Sequence, residues 1–211
     1  MPRSPIRVAC ALFAALSCAS LAHAVPSAAN SRIPSHVLLV GRLGDLADTT
    51  AGACSIVVRD AANSPIARCQ VELRVLNCFG TRLSSEPYAP ATTIRCETSG
   101  VLQTTDGHGE VRMTAVGGGT PGSEPGAGPC SQIYAAGVAL GIITLATLDM
   151  DGRDGLTPHD VSLWLTDLAS GELRGRADFD GDGVLTAQDL SIFLTVWAAG
   201  RSQESAASYC T

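Results

Sequence analysis
DMDGRDGLTPHD at residues 149–160 and DFDGDGVLTAQD at residues 178–189 are two versions of one acidic segment. Each runs directly into an apolar stretch of the same design, VSLWLT at 161–166 and LSIFLT at 190–195. The duplication covers a loop and the segment after it, which separates it from a chance run of acids. In the second copy Asp178, Asp180 and Asp182 stand at positions 1, 3 and 5 of a calcium-type loop, Gly183 at the sharp turn of position 6 and Asp189 at the closing position 12.

Such a loop works by presenting oxygen. Alternate carboxylates aim at one point, the carbonyl of Val184 adds a donor, and Gly183 permits the bend that brings them together. Without a cation the group repels itself, since two carboxylates about 4 Å apart cost roughly 4 kcal/mol at an effective dielectric near 20. The first copy departs in its middle, with Arg153 at position 5 and Asp154 in place of the turn glycine. Its ends keep the pattern: Asp149, Asp151, Leu156, Thr157 and Asp160 align with Asp178, Asp180, Leu185, Thr186 and Asp189. One insertion offset by one deletion accounts for the difference, and Asp154 then stands in for the missing donor. The expected ligands are Asp178, Asp180, Asp182, Val184 and Asp189 in the second loop, and Asp149, Asp151, Asp154 and Asp160 in a weaker first one. They would hold one or two calcium ions.

The segments after the loops read as short amphipathic helices. Val161, Trp164, Leu165 and Leu168 recur at helical spacing, as do Leu190, Phe193, Leu194 and Trp197, and each set is expected to form a core face. Loop and following helix, twice, without the leading helix of a full EF-hand, resembles the type I dockerin domain over roughly residues 147–200. The resemblance implies two calcium-loading repeats, with Thr186 holding a water, that plug an exported protein into a cohesin module on a scaffold or cell surface. The pairs before the closing aspartates, Pro158-His159 and Ala187-Gln188, are not the small hydroxyl pairs of well-known cellulosomal dockerins, and they differ from each other. A cohesin-like partner is therefore implied by the family and not by these residues.

At the other end, Arg3 and Arg7 precede an apolar run over 8–21, and Ala22-His23-Ala24 supplies small residues around a cleavage point. This is the pattern of a secretory signal peptide over residues 1–24. The run is shorter than the roughly 20 residues that span a bilayer, so no transmembrane segment is expected after cleavage. The protein is expected outside the cell or at its surface. Cys54, Cys69, Cys78, Cys96, Cys130 and Cys210 would remain. An even number in an exported chain suggests three disulfides of open connectivity, with Cys78 and Cys96 as one local pair.

Acidic residues crowd into 149–189, and the formal net charge of the chain is −6. That argues against nucleic acid as a partner, because phosphate binding needs a basic surface. All 14 basic residues are arginine, which removes lysine-based Schiff-base and P-loop chemistry.

Between leader and loops the strongest pattern is alternation. In CQVELRV at 69–75 the apolar residues point one way and Glu72 is expected outward, as in a half-buried strand. CSIVV at 54–58 precedes it across the turn-rich DAANSP, and Val111, Met113 and Ala115 alternate after a TDGHG turn. GGGTPGSEPGAGP at 117–129 reads as a loose loop, and 133–148 as a hairpin feeding the first acidic loop. VVRDAANSPIARCQVELRV followed by TTDGHGEVRMTA resembles bacterial immunoglobulin-like modules of surface proteins, over roughly residues 52–148. Motifs of catalysis such as GxSxG and HExxH are missing, His108 lies in a turn, and Glu72, Glu97 and Glu110 do not form an evident acid–base pair.

These readings describe a mainly β, immunoglobulin-like sandwich over 25–148, a small α, dockerin-like domain with two calcium loop-helix repeats over 149–200, and a polar tail over 201–211. The expected function is non-catalytic anchoring of a secreted protein to an exported scaffold or cell surface. Two alternatives stay open: a structural or adhesive module in which calcium only stabilises the fold, and an accessory protein of extracellular polysaccharide degradation. For the last, the sandwich offers only Phe79, Tyr88 and Tyr134 as sugar platforms.

Overall fold
The computed structural model describes residues 24–75, 77–121, 129–199 and 203–210. The expected signal segment lies outside these residues, except for Ala24. In chain order the elements are β1 (His36–Leu39), β2 (Arg42–Leu43), β3 (Leu46–Ala47), α1 (Thr49–Gly52), β4 (Cys54–Val57), β5 (Gln70–Arg74), β6 (Thr81–Leu83) and β7 (Thr93–Arg95). They continue with β8 (Gly100–Thr104), β9 (Glu110–Met113), β10 (Gly117–Gly119), β11 (Ser131–Ala135), β12 (Val138–Thr147), α2 (Pro158–Ser170) and α3 (Ala187–Ala198).

The fold is mainly β. A six-stranded sheet runs in the order β1-β12-β11-β5-β8-β7, antiparallel except where β1 lies parallel to β12. The alternation read from the sequence places Val71 and Leu73 of β5 inside, where they join Val101, Ile133, Ile143 and Leu145. Ile56 and Met113, from the antiparallel β4–β9 pair, belong to the same core. Glu72 does not point into solvent. It is 5 % exposed, because the 3₁₀ turn Cys96–Thr98 covers that face and Arg74 and Thr98 each hydrogen-bond its carboxylate at 2.7 Å. Burial pushes its pKa up, but these bonds and the charges of Arg74 and Arg95 bring it below the usual range. The glycine-rich stretch is also not wholly loop: residues 117–119 pair with β6 as β10, while 122–128 lie outside the described residues.

β1 and β12 carry the connection to the acidic repeats. Val37 and Leu39 face the first core, whereas Leu38 and Val40 face a second one. Burial on both faces explains the unbroken apolar run at 37–40. Beyond Leu145, Ala146 of β12 and Leu148 just past its end join this second core, which is completed by Met150, Trp164, Phe179, Phe193 and Val196 from the repeats. Burying each of the three aromatic rings is worth about 1.5–3 kcal/mol. The repeats are therefore built onto the outer face of the sheet.

Both helices start with a capping box, Thr157 with Asp160 and Thr186 with Asp189. The capping aspartate must face its loop, and this sets the rotation of the helix. Residues about one and two turns on share its side: Trp164 and Asp167 in α2, Phe193 and Val196 in α3, all buried. The apolar faces expected from the sequence are accordingly only half right. Leu165, Leu168, Leu194 and Trp197 are turned outward, with 48, 39, 46 and 38 % exposure.

The disulfides also differ from expectation. Among the described residues Cys78 pairs with Cys130 and Cys96 with Cys210, while Cys54 and Cys69 are free thiols. Sheet register decides this and not sequence proximity. β11 runs antiparallel to β5 with Gln132 opposite Arg74, which carries Cys130 to the end of β5 where Cys78 lies. Cys210 reaches Cys96 because the C-terminal segment returns to the sheet, donating its N–H to Leu83. No helix among the described residues is long and apolar enough to cross a membrane.

Candidate metal centre
The two loops close by one device. Asp160 accepts the Met150 N–H through Oδ1 at 2.7 Å and the Thr157 N–H through Oδ2 at 2.8 Å. Asp189 repeats this with Phe179 at 2.7 Å and Thr186 at 2.8 Å. Both closing residues are fully buried. Each carboxylate thus joins loop entry, loop exit and the first turn of the helix, whose free N–H groups favour negative charge. At position 4, Gly152 and Gly181 take left-handed φ values of 71° and 72° and press against the β layer. A Cβ there would meet Gly119 Cα at 3.0 Å and His36 Nδ1 at 2.2 Å, so neither site tolerates a larger residue without movement.

The opening halves differ. In the second loop the carboxylates are held by the loop's own backbone: Asp178 accepts from Gly181 and Gly183, Asp180 from Asp182, and Asp182 from Val184, at 2.8–3.1 Å. In the first loop the Arg153 N–H serves both Asp149 and Asp151, at 2.9 and 2.8 Å. Other ties come from outside. Gly119 donates to the Asp149 carbonyl at 2.8 Å, Leu156 donates to the Gln203 carbonyl at 3.0 Å, and Ser205 Oγ donates to Asp149 Oδ2 at 3.3 Å.

Two carboxylate groups result. Oxygens of Asp149, Asp151 and Asp160 lie within 4.8 Å of one another, as do those of Asp178, Asp180 and Asp182. Asp154, expected to replace a donor in the first loop, is exposed and outside its group, with a left-handed φ of 60°. Asp189 stands outside the second group, held by backbone donors. Val184 is 56 % exposed, which suits a residue offering only its backbone.

Burial disfavours charge in both groups. Asp149 is pushed up to about 7 by burial first and by the charges of Asp160 and Asp151, against the Arg153 hydrogen bond. Burial likewise raises Asp160, against the Thr157 and Met150 donors, and Asp178, against the Gly183 and Gly181 donors. An all-carboxylate donor set whose charges repel and are poorly solvated suits a hard divalent cation.

Sequence reasoning missed two supports of this centre. Asp167 is buried on α2 and receives Arg176 through two bonds at 2.6 and 2.8 Å, with Arg174 at 3.4 Å. Trp164 Nε1 donates to the Ala177 carbonyl at 3.1 Å, so α2 grips the residues that lead into Asp178. The apolar period picked out Val161, Trp164, Leu165 and Leu168 and so gave no signal for Asp167. The second support is the segment at 203–210, for which the local pattern gave only Cys210. Comparison of the chain with family models, with curated proteins and with solved structures finds no match to any of them.

Proposed function
We propose that the chain is a secreted, non-catalytic calcium-binding protein whose paired loop-helix repeats anchor it to an exported scaffold or cell surface. The observation that carries this reading is the duplication itself. Two loops of calcium pattern each gather three carboxylates, and each is closed by a buried aspartate that caps the next helix. Calcium supplies positive charge at that point; the carboxylates of this chain bind it, and the capping aspartates pass its effect to the helices. The dockerin resemblance of residues 147–200, the immunoglobulin-like resemblance of 52–148 and the disulfides fit an exported protein.

The anchoring surface in this reading is the outer side of the helices. Leu165 and Leu168 of α2 match Leu194 and Trp197 of α3 position for position, and all four face outward. Exposed apolar residues repeated by a duplication are a natural seat for a cohesin-like partner. The alternative, in which calcium only stabilises the fold, draws support from the core that the repeats share with β1 and β12. A role in polysaccharide degradation has thinner support: Phe79 is fully turned out, but Tyr88 and Tyr134 are half-buried.

Calorimetric titration of calcium into the chelator-stripped mature chain, with helix content followed by circular dichroism, tests the metal reading. Saturable binding with a gain of helix supports it; no binding at millimolar calcium rejects it. Calcium-dependent binding to a cohesin module that Leu165→Glu and Leu194→Glu together abolish supports anchoring. Its absence in the loaded protein leaves the stabilising role.

A further inference from the structure
The C-terminal segment at 203–210 lies against the first loop, and among the described residues no hydrogen bond ties it to the second. Gln203 is 2 % exposed, and its side-chain amide and backbone carbonyl are all engaged. Its Oε1 accepts the Gly41 N–H at 2.7 Å, its Nε2 donates to Asp48 Oδ2 at 3.0 Å, and its carbonyl accepts the Leu156 N–H at 3.0 Å. Gly155 is packed so closely beneath it that a Cβ there would stand 2.1 Å from the Gln203 carbonyl oxygen. Glu204 exchanges backbone hydrogen bonds with Arg42 and pairs with its guanidinium at 2.7 Å. Ser205 then reaches Asp149, and Cys210 ends the segment in a disulfide to Cys96.

This placement answers what the first loop lacks. The second loop fixes its first carboxylate, Asp178, with Gly181 and Gly183. The first loop has lost the turn glycine, and Asp149 is held instead by Arg153 and by Ser205 of the tail. We propose that Gln203 and Ser205 are positioning residues of the first metal site, acting from outside its loop, and that the Cys96–Cys210 disulfide keeps them in place. The inference rests on the calcium reading above. Outer partners of metal ligands typically change metal affinity by about 10–100-fold when removed. The coupling is reciprocal: if the closed disulfide favours calcium, calcium favours the closed disulfide by the same factor.

The test uses the full mature chain and calcium alone. Asp182→Ala silences the second loop so that the first can be titrated by itself. In that background Ser205→Ala is expected to weaken calcium about tenfold, and Cys96→Ser with Cys210→Ser by at least as much. The same two changes in a chain carrying Asp149→Asn, where only the second loop binds, should leave affinity unchanged. In a glutathione buffer two glutathione thiols reduce Cys96–Cys210 to two protein thiols and leave as one glutathione disulfide. Thiol labelling and mass spectrometry should show calcium shifting that equilibrium toward the protein disulfide about tenfold, with Cys78–Cys130 unmoved. Unchanged first-loop affinity in Ser205→Ala and in the cysteine variant overturns the positioning role and leaves the calcium reading intact. Equal weakening of both loops overturns it as well, as general loss of structure. A wild-type chain that binds no calcium overturns both.

Discussion

The two acidic loops share a closing half and differ in an opening half, and the difference lies in where their hydrogen-bond donors come from. Asp160 and Asp189 accept from corresponding backbone donors at the same distances, although only Asp160 also belongs to its carboxylate group. Asp178 is then held by its own loop, while Asp149 is held partly by a segment more than fifty residues further along the chain. The first group is also the more deeply buried, with Asp149 and Asp160 both inside, whereas Asp182 of the second is exposed. A duplicated loop can thus lose its own pattern where surrounding structure holds its ligands. Its twelve residues alone then no longer report how its carboxylates are held.

The strongest way to break the comparison is to test the proposed calcium binding itself. Any ligand present at about 1,000 times its Kd stabilises the native state by roughly 4 kcal/mol. Two such sites therefore add roughly 8 kcal/mol, and a chain of this size shifts by about 2–4 °C per kcal/mol. Calorimetric melting with millimolar calcium and with chelator should differ by about 15 °C or more. A difference half that size, abolished by Asp182→Ala, would mean that only the second loop loads.

Next in size is the ion pair that ties the repeats together. Asp167 has no charged counterpart in α3, where Val196 takes its place in the core. Asp167→Ala leaves Arg176 buried without its carboxylate and should cost about 3–5 kcal/mol, with or without calcium. Val196→Ala should cost less, roughly 1–3 kcal/mol. Equal losses in chemical denaturation would show that the pair contributes nothing beyond packing.

Much of this was legible in advance. The alternation around Val71 and Leu73, the β4 and β9 strands and the hairpin into Asp149 followed from period and turn residues, and the two helices from the apolar spacing after each loop. What failed had non-local causes. Helix rotation is set by Asp160 and Asp189 facing their loops, so Leu165 and Leu194 turned outward although their spacing allowed a core face. Cys96 found Cys210 through the path of the tail, which no local pattern encodes. Glu72 was buried by a 3₁₀ turn and Arg74, and Gly117–Gly119 became a strand because β6 lay alongside.

The burial of Asp149 predicts how pH acts on the metal-free protein. Its folded-state pKa lies at about 7, above its ordinary value of 3.8. A carboxylate raised on folding stabilises the native state only while protonated, so this contribution is whole below pH 4 and is lost as pH rises to about 7. Asp160 is raised by burial as well, and its charge is one cause of the Asp149 shift, so the step belongs to the two carboxylates together. Chelated protein should melt several degrees lower at pH 8 than at pH 5, and Asp149→Asn should flatten that difference more than Asp178→Asn does. Calcium should reverse the trend, since it needs the ionised carboxylates.

The smallest effect is the most direct test of what separates the loops. Arg153→Asp with Asp154→Gly writes the middle of the second loop into the first. The first change adds a carboxylate at position 5, where the exposed arginine now places a positive charge. The second removes a side chain from a left-handed backbone, which costs a residue other than glycine about 1–2 kcal/mol. Calcium affinity of the first loop, measured with Asp182→Ala silencing the second, should rise about tenfold, the equivalent of roughly 1.4 kcal/mol. The converted loop should also depend less on Ser205, because a flexible turn and a third loop carboxylate replace what the tail supplies. If Ser205→Ala weakens the converted loop as much as the natural one, the two halves of the comparison are independent, and the tail holds Asp149 for reasons unrelated to the lost glycine.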